Sequence, residues 1–417
     1  MRIREYDRNL KIRLGGEFLI NILYWCFFPF IAIYLADELG KVMAGTLLIV
    51  SQALSVVVNL MAGYFADRYG RKLVMVLSAY GYVGGFLLFA FANSVWYESA
   101  VLSFIAFTMI GVFSSIYWPA SHAMIADIVP EKDRPEVFAV FYSAVNLAVV
   151  IGPVLGSVLF FEYRFALLVA SSIASLLLAV VLQRYLRETV PNKAVEAMTA
   201  SMVFLNQIKS YRLILKDRVF LLFVLGGVCV ATVFMQLDLI IALHMREAAE
   251  TISIFGLEID GIKAYGMVMA ENGLLVVLMT VMMARWMGRL SAKWVFVASS
   301  LLYAIGILIF GLATFIPLYF FAMLLFTVGE LMVVGLQDSF IGQIAPEDQR
   351  GQYYAAAGLR YTFSRMIAPL ALTLAAFTSN AVAIGVVSFL AVLGAGIYLM
   401  MFTIMEREGV SREDEAV

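Results

Sequence analysis

The sequence predicts an all-α membrane protein, with twelve transmembrane helices in two pseudo-symmetric six-helix bundles. Three observations predict it. Of the 417 residues, 63% are hydrophobic and only 14% are charged, where a soluble domain carries about a quarter charged residues. The apolar residues fall in continuous runs of about twenty, the length of a helix across the hydrocarbon core, and a bilayer admits only helices or closed barrels. One long polar connector, near 187–218, lies midway along the chain and leaves six runs on either side.

The runs can be taken in order. The first, 14–36, follows Arg2, Arg4, Arg8, Lys11 and Arg13. The second, 43–65, begins after the single Lys41 and leads into Arg68, Arg71 and Lys72. The third and fourth, 73–93 and 99–122, are followed by Lys132 and Arg134. Only Arg164 separates the fifth and sixth, 137–160 and 165–186. Arg184, Arg187, Lys193, Lys209, Arg212, Lys216 and Arg218 lie around the connector. The seventh and eighth runs, 219–243 and 264–286, enclose only Arg246 and Lys263. Runs at 293–313, 316–340, 352–376 and 380–404 complete the twelve. Lys and Arg collect on the cytoplasmic side of membrane proteins. Both termini and the connector are therefore expected in the cytoplasm, with the chain in a prokaryotic cytoplasmic membrane. The expected organisation is an N-terminal bundle (1–186), a cytoplasmic linker (187–218) and a C-terminal bundle with a short cytoplasmic tail (219–417).

The halves repeat each other weakly. Ile128-Val-Pro-Glu-Lys-Asp-Arg134 aligns with Ile344-Ala-Pro-Glu-Asp-Gln-Arg350 at an offset of 216 residues, and Pro153 falls on Pro369 at the same offset. Gly70-Arg71 has an echo at Gly288-Arg289. Three matches at a nearly constant offset favour duplication over coincidence.

Between the second and third runs stands Gly63-Tyr-Phe-Ala-Asp-Arg-Tyr-Gly-Arg-Lys72. Four charges and two glycines there cannot be lipid-facing helix, so a tight turn on the solvent side is expected. The pattern G-x-x-x-D-R-x-G-R-K resembles the signature loop of the major facilitator superfamily of secondary transporters, matching at Gly63, Asp67, Arg68, Gly70, Arg71 and Lys72. The resemblance implies two six-helix halves with a substrate site near the midplane. It also implies a conformational latch. Asp67 would accept backbone N–H groups at the start of the eleventh helix, near Gly351-Gln352-Tyr353. Arg71 would pair with Asp127, and these contacts would cross the two halves.

Met235-Gln-Leu-Asp238, Phe255-Gly-Leu-Glu-Ile-Asp-Gly261 and Val328-Gly-Glu330 are similar to segments of proton-coupled multidrug exporters in that superfamily. One departure stands out. Such an exporter carries an acid just before a Tyr-x-Ala-x-Asn-Leu stretch in the fifth span. Here the stretch is Tyr142 to Leu147, and Phe141 precedes it. Gly152, Pro153 and Gly156 resemble the Gly-Pro motif of antiporter members, where proline removes a helix hydrogen bond and glycines allow close approach; ordinary kinked packing is the alternative.

Ionisable groups inside spans are costly and become functional candidates. Glu330 stands alone between Met323 and Leu336. It reads as a proton or substrate-cation site, or as a structural carboxylate paired with an arginine of the eleventh span. Asp238 matches the exporters' functional aspartate, with a boundary acid facing water as the alternative. Glu271, followed by Asn272, has Met267, Leu274 and Leu275 as apolar neighbours, and functional and structural readings stand level. Glu17 lies one turn beyond Arg13, so an i,i+4 ion pair competes with a cavity acid. Arg360 and Arg365 project about 140° apart. At least one is expected to neutralise Glu330 or another carboxylate.

Other chemistries are not indicated. The net charge is −1 and there is no basic stripe for nucleic acid. Cys26 and Cys229 both fall inside apolar runs, which argues against a disulfide framework. The N-terminus shows no cleavable signal pattern. His122 and His244 are the only histidines, expected at opposite sides of the membrane, and no metal site is expected. There is no phosphate-binding loop and no catalytic constellation, so an enzyme is not expected. Among the 32 phenylalanines and 22 methionines, a subset is expected to line a cavity for lipophilic ligands. The expected function is proton-coupled export of lipophilic cationic drugs or similar compounds by alternating access, by a monomer without cofactor, its partners being substrates, protons and membrane lipids. A dedicated exporter or flippase of one amphipathic metabolite or lipid is the first alternative. A membrane-embedded receptor or enzyme is the rival from another class.

Overall fold

The computed structural model describes residues 6–130, 133–189, 217–254, 256–346 and 349–408. Arg2, Arg4, Lys132, Lys193, Lys209, Arg212, Lys216, Phe255, Glu347, Asp348, most of the 187–218 linker and the C-terminal tail lie outside the described residues.

The order of elements follows the hydropathy runs. The first six helices are α1 (Arg8–Leu39), α2 (Lys41–Tyr69), α3 (Arg71–Phe91), α4 (Ala100–Ile128), α5 (Arg134–Glu162) and α6 (Arg164–Tyr185). A two-residue hairpin, Asn93–Ser94 against Tyr97–Glu98, joins α3 to α4. The next helix, α7 (Arg218–Phe234), passes through a π turn (Leu237–Ile241) into α8 (Ala242–Ala248). A second hairpin, Ile252–Ile254 against Leu257–Ile259, leads to α9 (Gly261–Met287), α10 (Ala292–Leu312) and α11 (Ile316–Ile344). Three short helices follow, α12 (Arg350–Ala357), α13 (Leu359–Ile367) and α14 (Leu370–Phe377), and then α15 (Asn380–Glu408). Among the described residues, eleven helical stretches are long and apolar enough to cross a membrane. The expected eleventh span is the exception, being broken into α12–α14.

That break has a local cause. Pro369 has no N–H to give, and Ala371 and Leu372 bond to Ala368 and Pro369 in tight i→i−3 turns. Tyr361 bonds to Gly358 in the same way. Pro153, its counterpart in the repeat, lies inside the continuous α5. The signature segment also differs from expectation. Residues 63–69 continue α2, and the turn is confined to Gly70 at φ +90°.

The chain divides into two compact units: Met1–Gly40 with Leu47–Asn206, and Lys41–Thr46 with Gln207–Val417. In the first unit α1 packs on α5, and α3 packs on α4 and α6. In the second, α7 packs on α13, and α10 packs on α11 and α15. Counted as spans, the pairs 1–5, 3–4 and 3–6 recur as 7–11, 9–10 and 9–12. The repeat glimpsed in three short sequence matches is thus a repeat of packing partners. Large apolar side chains such as Leu77, Leu177, Leu278 and Phe389 remain exposed on the helices, as lipid-facing residues do.

Glycine decides one interface. A Cβ on Gly152 would meet Trp25 and the Ile22 carbonyl, and one on Gly156 would meet the Cys26 carbonyl and Phe30. The Gly-Pro segment therefore sets the approach of α1 and α5. A Cβ on Gly63 would meet nothing within 4 Å. Gly156→Val is expected to destabilise the protein by about 1–3 kcal/mol through overpacking, read as a lower melting temperature in detergent. Gly63→Ala is expected to leave that temperature unchanged or slightly higher, since alanine favours helix by roughly 1 kcal/mol.

Candidate functional site

The first candidate site gathers around Gly70. Arg71 forms an ion pair with Asp67, one turn earlier, and its Nε lies 3.4 Å from Asp127 Oδ2 at the end of α4. Both pairs lie within the first unit. This corrects the expectation that the Arg71–Asp127 contact crosses the halves. Arg68 is exposed, bonded to Tyr64 and stacked 5.8 Å from the Tyr69 ring.

Glu188 is the residue that sequence reasoning missed. Its carboxylate accepts the backbone N–H groups of Arg71 (2.9 Å) and Lys72 (3.1 Å), the first donors of α3. A carboxylate at a helix N-terminus meets unsatisfied donors and the positive end of the helix dipole. Within this unit Glu188 takes that role at α3, while Asp67 is engaged with Arg71. Two more bonds hold the segment around Glu188. Thr189 Oγ1 donates to Asp127 Oδ2 at 2.8 Å, and buried Asn9 exchanges two 3.0 Å bonds with the Arg187 backbone. Arg134, the last residue of the repeated Ile128–Arg134 motif, donates to the carbonyls of Ala126 (2.7 Å) and Val129 (3.1 Å) and closes α4. An acid three residues beyond the sixth span, in otherwise basic surroundings, was the available signal for Glu188.

The second site is a cavity of about 400 Å³ in the first unit, lined by Glu17, Asn21, Trp118, His122, Phe138 and Tyr142 among others. Both readings of Glu17 hold together. Its Oε1 accepts from Arg13 Nη2 at 2.9 Å and Nε at 3.1 Å, and from Ser121 at 2.5 Å, while the side chain lines the cavity. Arg13 is fully buried, 5.0 Å over the Phe141 ring. At position 141, where the exporters carry an acid, this chain offers its guanidinium an aromatic face.

The third site lies in the second unit. Glu330 on α11 accepts from Asn272 on α9 at 3.0 Å, and Asn272 also donates to Thr327 at 2.9 Å. Asp238, on the π turn, accepts from Tyr265 on α9 at 3.3 Å. Tyr265 and Asn272 are seven residues apart, nearly two full turns, so they share a face of α9. One helix thus carries a neutral donor to each carboxyl. Glu271 Oε2 is buried without a hydrogen bond among the described residues.

The arginines do not behave as expected. Arg360 is buried and donates to the Ala357 carbonyl (2.9 Å) and Gln337 Oε1 (3.1 Å), with its guanidinium 4.6 Å over Phe223. Arg365 is exposed. Among the described residues neither forms an ion pair with Glu330, Asp238 or Glu271. The stem of Arg360 runs against Gly227, which directs its head to Gln337 rather than to a carboxylate.

The model of the Major Facilitator Superfamily matches residues 14–369. The chain belongs to the Major Facilitator Superfamily. It is therefore a multi-pass membrane transporter of the secondary class, in a family of transporters and not of enzymes. It is 48% identical to a Na(+), Li(+), K(+)/H(+) antiporter of Planococcus maritimus over 99% of this chain and 100% of that one. It is 29% identical to the multidrug resistance protein MdtH of Klebsiella pneumoniae over 40% of each chain. A solved structure of a POT family transporter in complex with 5-aminolevulinic acid has a TM-score of 0.78 to this chain at 15% identity, covering 99% and 98% of the two. That likeness is one of fold.

Two substitutions test the Gly70 cluster of this superfamily member. Gly70→Ala places a Cβ against the Glu188 carboxylate at positive φ, and should cost about 1–3 kcal/mol. Glu188→Gln keeps the shape and loses the charge at the helix end, for about 0.3–1 kcal/mol. Melting curves in detergent would check both, and a Glu188→Gln protein that melts with the parent would contradict the helix-end role of the charge.

Proposed function

We propose that this chain is a proton-coupled antiporter that expels monovalent alkali cations across a prokaryotic cytoplasmic membrane, with both termini in the cytoplasm. The observation that carries the reading is the set of three span carboxyls in the second unit, Asp238, Glu271 and Glu330, none of them ion-paired among the described residues. A carboxylate inside a membrane is unstable without a counter-charge, and either a proton or a metal cation supplies one. A group that must hold one or the other is the elementary unit of exchange. Asn272 and Tyr265 hold two of the carboxyls by neutral hydrogen bonds, which orient them without occupying them by a fixed positive charge. The 48% identity to an antiporter named for Na+, Li+ and K+ supports alkali cations as the exchanged species. Alternating access follows from the superfamily's two-half design, and in this reading the Gly70 cluster steadies one conformation of the first half.

A second reading, export of lipophilic organic cations, is favoured by the aromatic cavity beside Glu17 and by the likeness to MdtH. Both readings keep proton coupling and differ in cargo. In everted membrane vesicles holding an acid interior, added Na+, Li+ or K+ should release the pH gradient. Glu330→Gln should reduce that response tenfold or more, while Asn272→Leu, which removes only an orienting bond, should reduce it less. A gradient that alkali cations leave intact and cationic dyes release would transfer the assignment to the second reading. A panel including lysolipids separates both from a flippase.

A further inference from the structure

Two helices of the second unit lose their regular hydrogen bonding where they face each other. In the seventh span the Gln236 carbonyl accepts from both Leu239 (3.2 Å) and Ile241 (3.0 Å) as the π turn opens. In the eleventh the ladder fails at Ala368–Pro369. The side chain of Gln236 joins the two places. Its Nε2 donates at 3.1 Å to the Thr232 carbonyl and at 3.1 Å to the Ala368 carbonyl. Gln236 is 0% exposed, and its Oε1 has no hydrogen-bond partner among the described residues. Thr232, one turn earlier on the same face, is 3% exposed, and its Oγ1 also lacks a partner.

The seam is rich in acceptors and poor in donors. Two carbonyls meet at the Gln236 amide nitrogen, and the amide oxygen and the Thr232 hydroxyl one turn earlier add two further buried oxygens. Two of these oxygens are buried unpaired, a costly state for a polar group. Anions find little to hold them there. Carbonyl and amide oxygens instead replace the hydration shell of an alkali cation, and broken membrane helices supply such oxygens in transporters. Asp238, two residues beyond Gln236, places a carboxyl close by along the chain.

We propose that Gln236 Oε1, Thr232 Oγ1 and the carbonyls of Thr232 and Ala368 bind the transported alkali cation, at a place separate from the Glu330 carboxyl. The proposal deepens the alkali-cation reading and rests on it. In the unloaded form the Gln236 amide turns its N–H groups to the two carbonyls. In the loaded form the cation takes that place and the amide reverses, presenting Oε1 as a ligand. Loading thus rearranges the joint between the seventh and eleventh spans, and the Asp238 turn adjoins that joint. The joint thus adds a neutral-oxygen site to the cation's path, and the exchange of cation for proton takes place at the span carboxyls.

The test uses the full chain in proteoliposomes with an internal pH indicator, measuring KM and Vmax for Na+, Li+ and K+. Thr232→Val is nearly isosteric and should raise KM tenfold or more with Vmax changed less than threefold. Thr232→Ser should restore a KM near that of the parent. Gln236→Leu should raise KM at least as much. Gln236→Glu keeps the size and places a charged ligand, so its KM should fall or its preference among the three cations should change. It stands in if Gln236→Leu fails to purify as a single species. If the parent protein exchanges alkali cations and these folded variants keep its KM and preference, the proposed site is overturned and the antiporter reading survives. If the parent exchanges none of the three, both are overturned.

Discussion

The hydrocarbon core offers no water to backbone N–H and C=O groups, and the architecture of this chain depends on that constraint. Regular helices satisfy it automatically. At several places where the ladder ends or is interrupted, a side chain takes over. Glu188 does so for the first donors of α3, and Arg134 for the last acceptors of α4. Gln236 and Ser364 do so along the broken seventh and eleventh spans.

Charge follows the same economy in two different ways. The buried Arg13–Glu17 pair is joined within the first unit by Ser121 and the Phe141 ring. Removing either partner would strand a charge, the most destabilising outcome for a buried pair. In the second unit the carboxyls of Asp238 and Glu330 have neutral partners, and Arg360, the nearest analogue of a counter-ion in the sequence reading, is spent on Gln337 and a carbonyl. The first unit thus pairs its buried acid with an arginine, and the second holds these two carboxyls by neutral groups.

The two units share their packing and differ at single residues. The same helix pairs pack in both. Pro153 sits in an unbroken helix beside the tight α1–α5 contact that Gly152 and Gly156 permit. Pro369 separates two helices next to a π turn, where Gln236 reaches across. The proline is shared, and the neighbours determine whether the helix tolerates it.

Much of this was legible in the sequence. Hydropathy alone locates eleven of the spans, with ends that differ by up to six residues, because each run needs only length and apolarity to be stable in lipid. The signature pattern locates the turn at Gly70, because a turn with positive φ admits little but glycine. Tertiary structure decided what pairs with what. That Glu188 meets the α3 N-terminus and that Arg360 turns to Gln337 instead of Glu330 both depend on contacts between residues far apart in the chain. Hydropathy reports how each segment meets lipid; the partners of a charge or an orphaned carbonyl are set by which helix packing brings within about 3 Å.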